Sequence, residues 1–390
     1  MYKRDITPVI KRLAEFYPIV GITGPRQSGK TTIAKILFPH LPYVSLENLD
    51  IRLQAELDPR GFLASYEGGA IFDEIQNVPS LLSYMQAIVD ERQDKGRYII
   101  TGSQNFTLSS SISQSLSGRI GMVTLLPLSM HELHEDNLDI NEAIFSGGYP
   151  GLHNLKMHSM DFYPSYIQTY VERDVRQLKN IENLGRFQNF LKLCAGRIGQ
   201  LINFSSLAQD AGISHTTARE WLTILEASYI IFTLQPYHNN FNKRLMKMPK
   251  IYFYDTGLAC ALLDLEKKDQ IETHYLRGGL FENLIILEIL KWRMNNGLPS
   301  NIYFWRDRTG YEIDLVGSWG GVINTIEIKA GSTFQESYTK NLRYFEALSK
   351  DRSKETVSSY LVYTGSQEGS YFGIKLTPVE KIHSCILGIQ

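Results

Sequence analysis

Gly24-Pro25-Arg26-Gln27-Ser28-Gly29-Lys30-Thr31 follows the apolar run Ile19-Val20-Gly21-Ile22 and precedes a helical pattern from Lys30 through Leu37. Gly-x4-Gly-Lys-Thr between a strand and a helix reads as a cradle for nucleotide phosphates. Glycines let the backbone turn tightly, so that successive N–H groups point inward at phosphate oxygens, and the next helix adds its positive dipole end. In such a loop the lysine, Lys30, reaches the β- and γ-phosphates, and the hydroxyl of Thr31 can ligate magnesium. The candidate nucleotide-binding residues are Gly24, Pro25, Arg26, Gln27, Ser28, Gly29, Lys30, Thr31 and Thr32. A glycine turn matching by chance is the competing reading, and the flanking strand and helix argue against it.

Two further strands complete the expected ATP site. Gly68-Gly69-Ala70-Ile71-Phe72-Asp73-Glu74 is apolar and ends in two acids. Asp73 is expected to hold the magnesium shell, and Glu74 to polarise the attacking water. Adjacent strand side chains point to opposite faces, so both can act only where the strand ends and the backbone turns. A surface pair of acids closing a strand is the alternative. Arg97-Tyr98-Ile99-Ile100-Thr101-Gly102-Ser103-Gln104 reads as a strand added between the first two, with Ser103 and Gln104 as candidate sensors of the γ-phosphate or as a plain turn. After the serine-rich stretch 109–117 comes Gly118-Arg119. Arg119 is either a catalytic arginine facing a neighbouring subunit's nucleotide or a partner in a local ion pair.

Composition narrows the class. The 390 residues suffice for two or three domains with their own cores. Hydrophobic residues make up 43%, yet no run approaches the ~18–20 apolar residues that cross a bilayer. The start Met1-Tyr2-Lys3-Arg4-Asp5 has no signal-peptide apolar region. The 3 cysteines, Cys194, Cys260 and Cys385, show no metal spacing, which fits a reducing cytoplasm and no membrane partner. With a formal net charge of −1, any DNA-binding face must be a local patch.

The chain divides into an α/β region at 1–155, a helical and winged-helix region at 156–270 and a last region at 271–390. In the first, Met122–Leu128 reads as the final strand, Met130–Glu135 as a helix, and Gly147-Gly148-Tyr149-Pro150 as the exit. Glu172-Arg173-Asp174 is either a solvated helix face or a point where Arg173 meets the nucleotide. From 203 to 254 the pattern is that of a winged helix-turn-helix. Asn203 or Ser205 caps one helix, Gly212-Ile213-Ser214 turns, and a second helix from Thr216 buries Ala218, Trp221, Leu222 and Leu225. Lys243, Arg244, Lys247 and Lys250 then form a basic wing, for DNA contact or simply beside a packing module.

A second set of acids lies near the end. Phe281-Glu282-Asn283 opens a helix, Tyr311-Glu312-Ile313-Asp314 lies on one strand, and Ile326-Glu327-Ile328-Lys329 closes another. Glu327 and Lys329 share a strand face, and Asp314 on the adjacent antiparallel strand can meet Glu327 across the ladder. Asp314 and Glu327 then hold Mg²⁺ or Mn²⁺, Glu282 completes the shell, and Lys329 stabilises charge developing on a phosphodiester. A decorated sheet face retaining the fold without the chemistry is the alternative.

Taken together, Gly24–Thr31, Phe72–Gln76, Thr101–Ser103, Ser117–Arg119, Gly147–Pro150, Tyr170–Asp174, Tyr254–Leu258, Phe281–Asn283, Glu312–Asp314 and Ile326–Lys329 resemble a prokaryotic family in nearly its full length. Its members are AAA-superfamily ATPases with a C-terminal domain of unknown function that has a PD-(D/E)XK, restriction-endonuclease-like core. The resemblance implies ATP binding and hydrolysis; about cleavage it implies less. Ile313 stands where the eponymous proline would be, a position that does not contact metal. The expected architecture is α/β: a P-loop AAA-type ATPase domain, a winged helix-turn-helix middle domain and a restriction-endonuclease-like α/β domain. The expected function is ATP hydrolysis coupled to DNA binding and metal-dependent DNA cleavage. One alternative is a nucleotide-switched regulator or scaffold that binds DNA or protein without cutting, and another is an ATPase acting on protein partners alone. Arg119 acting in trans would require a homo-oligomer.

Overall fold

The computed structural model describes residues 2–92, 94–103, 116–133, 139–171, 183–237, 248–352 and 356–388. Ile19–Thr23 (β1) is buried at every position, because helices cover both faces of the sheet it centres. Its neighbours are Tyr43–Ser45 (β2), Ala70–Asp73 (β3), Tyr98–Gly102 (β4) and Ile120–Thr124 (β5), all parallel and ordered β2-β3-β4-β1-β5. β4 therefore separates the P-loop strand from the acidic strand, as its sequence suggests. The helices Thr7–Phe16 (α1), Lys30–Leu37 (α2), Leu49–Leu57 (α3), Pro59–Ala64 (α4) and Leu81–Arg92 (α5) pack around this sheet. Parallel strands bring their carboxyl ends to one edge, so the residues after β1, β3 and β4 converge there.

Two boundaries differ from expectation. The last strand begins at Ile120 rather than Met122 and stops at Thr124, because its ladder ends where Thr23 turns into the P-loop. Leu125, Leu126 and Leu128 remain buried as irregular chain. Residues 130–133 form a turn, not a helix, held by Ser129 N–H donating to Glu132 and Glu132 N–H to the Ser129 hydroxyl. Residues 134 and 135 lie outside the described residues.

The middle region holds helices Pro150–Leu155, Ser159–Tyr166, Leu184–Ala195, Phe204–Ala211 and His215–Ala227, then the antiparallel pair Ile231–Leu234 (β6) and Lys250–Phe253 (β7). Asn203 caps one helix and Ser214 the next, with Gly212 left-handed between them at φ 64°. After β6, Tyr237 N–H donates to the Phe304 carbonyl and Phe304 N–H to that of Gln235, attaching this module to the edge of the last sheet. Glu172, Arg173, Asp174, Lys243, Arg244 and Lys247 lie outside the described residues. Lys250 is no wing residue: it is 3% exposed.

The last region packs helix Arg277–Asn295 and helix Lys340–Arg352 against Ile302–Arg306 (β8), Glu312–Trp319 (β9), Val322–Lys329 (β10), Val357–Tyr363 (β11), Gly369–Tyr371 (β12) and Ile374–Pro378 (β13). The sheet order is β12-β13-β11-β10-β9-β8; β8, β9 and β10 are antiparallel and β11 returns parallel to β10. One hydrophobic core runs from Tyr149 and Phe187 through Trp221 to Leu284 and Ile326, so the middle and last modules share their interior. Among the described residues no helix is long and apolar enough to cross a membrane.

Candidate nucleotide site

Gly24 leaves β1 at φ 141°, and a Cβ there would stand 2.2 Å from the Leu125 carbonyl oxygen. Only glycine fits. Gly24→Ala is expected to destabilise the protein by about 1–3 kcal/mol, read as a lower urea midpoint. Gly29, at φ 95°, precedes α2 and brings no side chain to cap it, so the first N–H groups of that helix stay open to an anion. The Ser28 hydroxyl is buried and has no hydrogen-bond partner among the described residues. Arg4 fixes the loop from behind: its guanidinium donates to the Ser28 carbonyl at 2.7 Å and the Leu126 carbonyl at 2.6 Å, and pairs with Glu132 at 3.0 Å. The Lys30 ammonium donates to the Gly24 and Pro25 carbonyls, at 3.0 and 2.8 Å.

Asp73 ends β3 facing this loop. The Thr31 hydroxyl donates to its two oxygens at 2.9 and 3.1 Å, Tyr43 donates at 2.8 Å, and Thr101 donates as well. Burial and the Asp73 carboxylate push the Tyr43 phenol up to about 12. Thr31 and Asp73 are thus the pair that could hold a divalent cation. Glu74 takes the left-handed conformation, φ 55° and ψ 52°, where the strand breaks, so it and Asp73 are freed from opposite faces. Its carboxylate accepts from the Ser103 hydroxyl at 3.0 Å and from Gln76, and its N–H donates to Thr101 at 3.3 Å. Ser103 thus meets Glu74 at the end of β4; Gln104 lies outside the described residues.

A cleft of about 640 Å³ opens over these groups, with Arg26, Gln27, Lys30, Thr31, Thr32, Asp73 and Glu74 on one wall and Pro150, Phe162 and Tyr166 of the middle module on the other. A second cavity of about 470 Å³ adjoins Gly29 and Thr32 and is lined by Tyr2, Thr7, Ile33, Leu37 and Pro150. The middle module also touches the loop directly: Tyr229 donates to the Thr23 hydroxyl at 3.0 Å, and Tyr166 to the Arg26 carbonyl at 3.5 Å. The orphaned serine, the open helix end and the carboxylate–hydroxyl pair fit a nucleotide with its cation.

Arg119 stands elsewhere. Ile19 pairs with Ile120, so Arg119 precedes β5 at the edge opposite the P-loop, about 16 Å away along a five-residue strand. Its guanidinium grips Asp90, with Nη2 2.9 Å from Oδ2. This is the arrangement of the local-ion-pair reading, and it keeps Arg119 from its own chain's nucleotide.

The structure gathers the C-terminal acids into one buried cluster. Ile326 faces Leu315 across the ladder, which sets Glu327 opposite Asp314. Lys329 Nζ is 2.8 Å from Glu327 and 3.5 Å from Asp314, and Asp314 also accepts from the Ile328 N–H at 2.8 Å. Glu282, from helix Arg277–Asn295, accepts from Lys250 at 3.0 Å and from Tyr252. Burial, then Asp314, push Glu282 up to about 7 and Glu327 up to about 8. Lys250 and Lys329 are held above the usual lysine range by these acids although burial opposes their charge. Among the described residues no group of three or more His, Cys, Asp or Glu is placed to hold a metal ion.

Sequence reasoning missed Tyr43, Thr101 and Arg4, and placed Lys250 in a basic wing. Thr101 had a signal, as the small polar residue just before the end of a buried parallel strand. Lys250 had one too, since the apolar Ile251-Tyr252-Phe253 follows it directly.

Residues 17–134 match the family model described as AAA domain. Residues 137–269 and 277–382 match two domains of unknown function, DUF8612 and DUF4143. An uncharacterized protein of Mycobacterium tuberculosis is 28% identical over 334 residues, covering 85% of this chain and 74% of its own. One of Haemophilus influenzae is 24% identical over 238 residues, 57% of each chain. Among solved structures, the Walker-type ATPase of Pyrococcus abyssi aligns with TM-score 0.45 at 16% identity, covering 67% of this chain and 96% of that one. AMPPCP-bound DnaA from Aquifex aeolicus aligns with TM-score 0.29 at 12% identity, covering 57% and 85%. The AAA-domain match and the P-loop geometry together support an AAA-type ATP-binding domain.

Proposed function

We propose that this protein hydrolyses ATP with Mg²⁺ at the P-loop and that its middle and C-terminal modules respond to the nucleotide state. The observation that carries the proposal is Thr31 hydrogen-bonded to Asp73 beside Lys30, with Glu74 released from β3 at the mouth of the cleft. Mg²⁺, when bound by Thr31 and Asp73, supplies positive charge at the phosphates. Lys30 exchanges the Gly24 and Pro25 carbonyls for phosphate oxygens, Ser28 and the N–H groups of α2 complete the cradle, and Glu74 takes a proton from the attacking water. The apolar cavity beside Ile33 and Leu37 suits the base. Tyr229 and Tyr166 join the loop to the middle module and give the response a physical contact.

Equilibrium binding of ATP to the wild type and to Lys30→Ala tests the site. Lys30→Ala is expected to bind at least about tenfold more weakly, the loss of one charge-assisted contact; equal affinity would remove the P-loop from the account.

The last module follows a helix, three antiparallel strands, a helix and a returning parallel strand, an order that supports a restriction-endonuclease-like core. Its lysine-paired acids favour the alternative in which that core binds without cutting. For the middle module, the caps, turn and β-pair support a winged helix-turn-helix. His215, Thr216 and Arg219 lie exposed on its second helix and favour DNA as a partner. The buried Lys250 contributes nothing to such a face. Unchanged ATP turnover on adding duplex DNA would count against that partner. Arg119 enters only through a second copy of the chain, after release from Asp90.

A further inference from the structure

We propose that the Lys250 ammonium occupies the cation position of the C-terminal acid cluster, so that these acids join the middle module to the last one instead of binding a divalent metal. This stands apart from nucleotide hydrolysis at the P-loop.

The donor chemistry alone would suit a hard cation, for Glu282, Glu312, Asp314 and Glu327 bring four carboxylates together. Each of them already has an oxygen engaged. Lys250 Nζ lies 3.0 Å from Glu282 Oε1 and 2.5 Å from Glu312 Oε1, while Arg306 takes the other Glu312 oxygen at 3.0 Å. Lys329 takes Glu327, and the Ile328 N–H takes Asp314. Glu327 Oε2 stands buried with no hydrogen-bond partner among the described residues. A divalent ion entering here meets the charge of the buried Lys250 ammonium and of the partly exposed Lys329 ammonium.

Lys250 is also fixed in place. It opens β7, in register with Leu234 of β6, and Leu201 bridges to it from the other side. The chain after β6 is bonded to Phe304 of β8. A lysine on a separate module, held from three directions, fills the role that a dissociable metal would otherwise fill. Its removal leaves Glu282 without an ammonium partner and only Arg306, at Glu312, and Lys329, at Asp314 and Glu327, to balance the cluster, which opens a position for a cation.

The test is titration of the full, nucleotide-free chain with Mn²⁺, following free Mn²⁺ by electron paramagnetic resonance. Wild type and Asp314→Asn are expected to give the same isotherm. Lys250→Met is expected to gain one bound ion per chain, lost again in Lys250→Met/Asp314→Asn. A wild-type ion that Asp314→Asn or Glu327→Gln removes overturns the proposal, and so does a folded Lys250→Met that gains none. Should Lys250→Met not fold, the comparison of wild type with the two acid variants decides alone. None of these readouts depends on ATP turnover, so a silent P-loop would leave the result intact.

Discussion

Glu74→Gln is expected to slow ATP hydrolysis by about 10²–10⁴-fold while leaving ATP affinity close to that of the wild type. The amide keeps the volume of the side chain and still offers an oxygen to the Ser103 hydroxyl, so the held position at the end of β4 survives. What disappears is the capacity to take a proton. Glu74 is suited to that task by its backbone: a non-glycine residue at φ 55° is strained, and the strain turns it out of β3 into the cleft. Single-turnover phosphate release and equilibrium ATP binding, measured on the same preparation, separate the two effects. Wild-type hydrolysis rates in Glu74→Gln would transfer the base role to another group.

The second large effect lies at the entry to the middle module. Asp255 is 1% exposed and accepts from Gly148 N–H at 2.8 Å, Leu258 N–H at 2.9 Å and the Tyr163 hydroxyl at 2.7 Å. Burial raises its pKa even against these bonds. Gly147 and Gly257 are glycines because a Cβ at either would come within 2.3 Å of the Tyr163 hydroxyl. The segments Gly147–Pro150 and Tyr254–Gly257, far apart in sequence, are therefore the two halves of one buried contact. Asp255→Ala leaves the Gly148 and Leu258 N–H groups without their acceptor, while the Tyr163 phenol keeps the Ser146 carbonyl at 2.7 Å. We expect a loss of about 3–5 kcal/mol, seen as a lower urea midpoint. The raised pKa has a definite sign: for a carboxyl titrating higher in the folded state, stability falls as pH rises from the unfolded value through the folded one. Wild type should accordingly show this decline as pH rises above the ordinary aspartate range, reduced in Asp255→Asn.

How much was legible depended on how local each feature is. The P-loop, the acids ending β3 and the added strand β4 are contiguous patterns, and parallel strand geometry brings their ends together without further information. The helix cap at Asn203, the turn at Gly212-Ile213-Ser214 and the pairing of Asp314 with Glu327 could be read for the same reason. Arg119 was legible as a residue but not as a location, since only the register of β1 with β5 puts it at the far edge. Lys250 was misread because its neighbours Lys243, Arg244 and Lys247 suggested a solvated run. Its partners Glu282 and Glu312 come from another module, and no local periodicity marks a lysine that pairs across modules. Tyr43 reaches Asp73 from β2, a three-residue strand too short to announce itself.

The most direct test of the account is phosphate release from ATP by the purified wild-type chain in Mg²⁺, beside Lys30→Ala prepared in the same way. The account predicts steady release by the wild type and its loss in Lys30→Ala. Equal release from both, or none from a wild type that binds ATP, would contradict it.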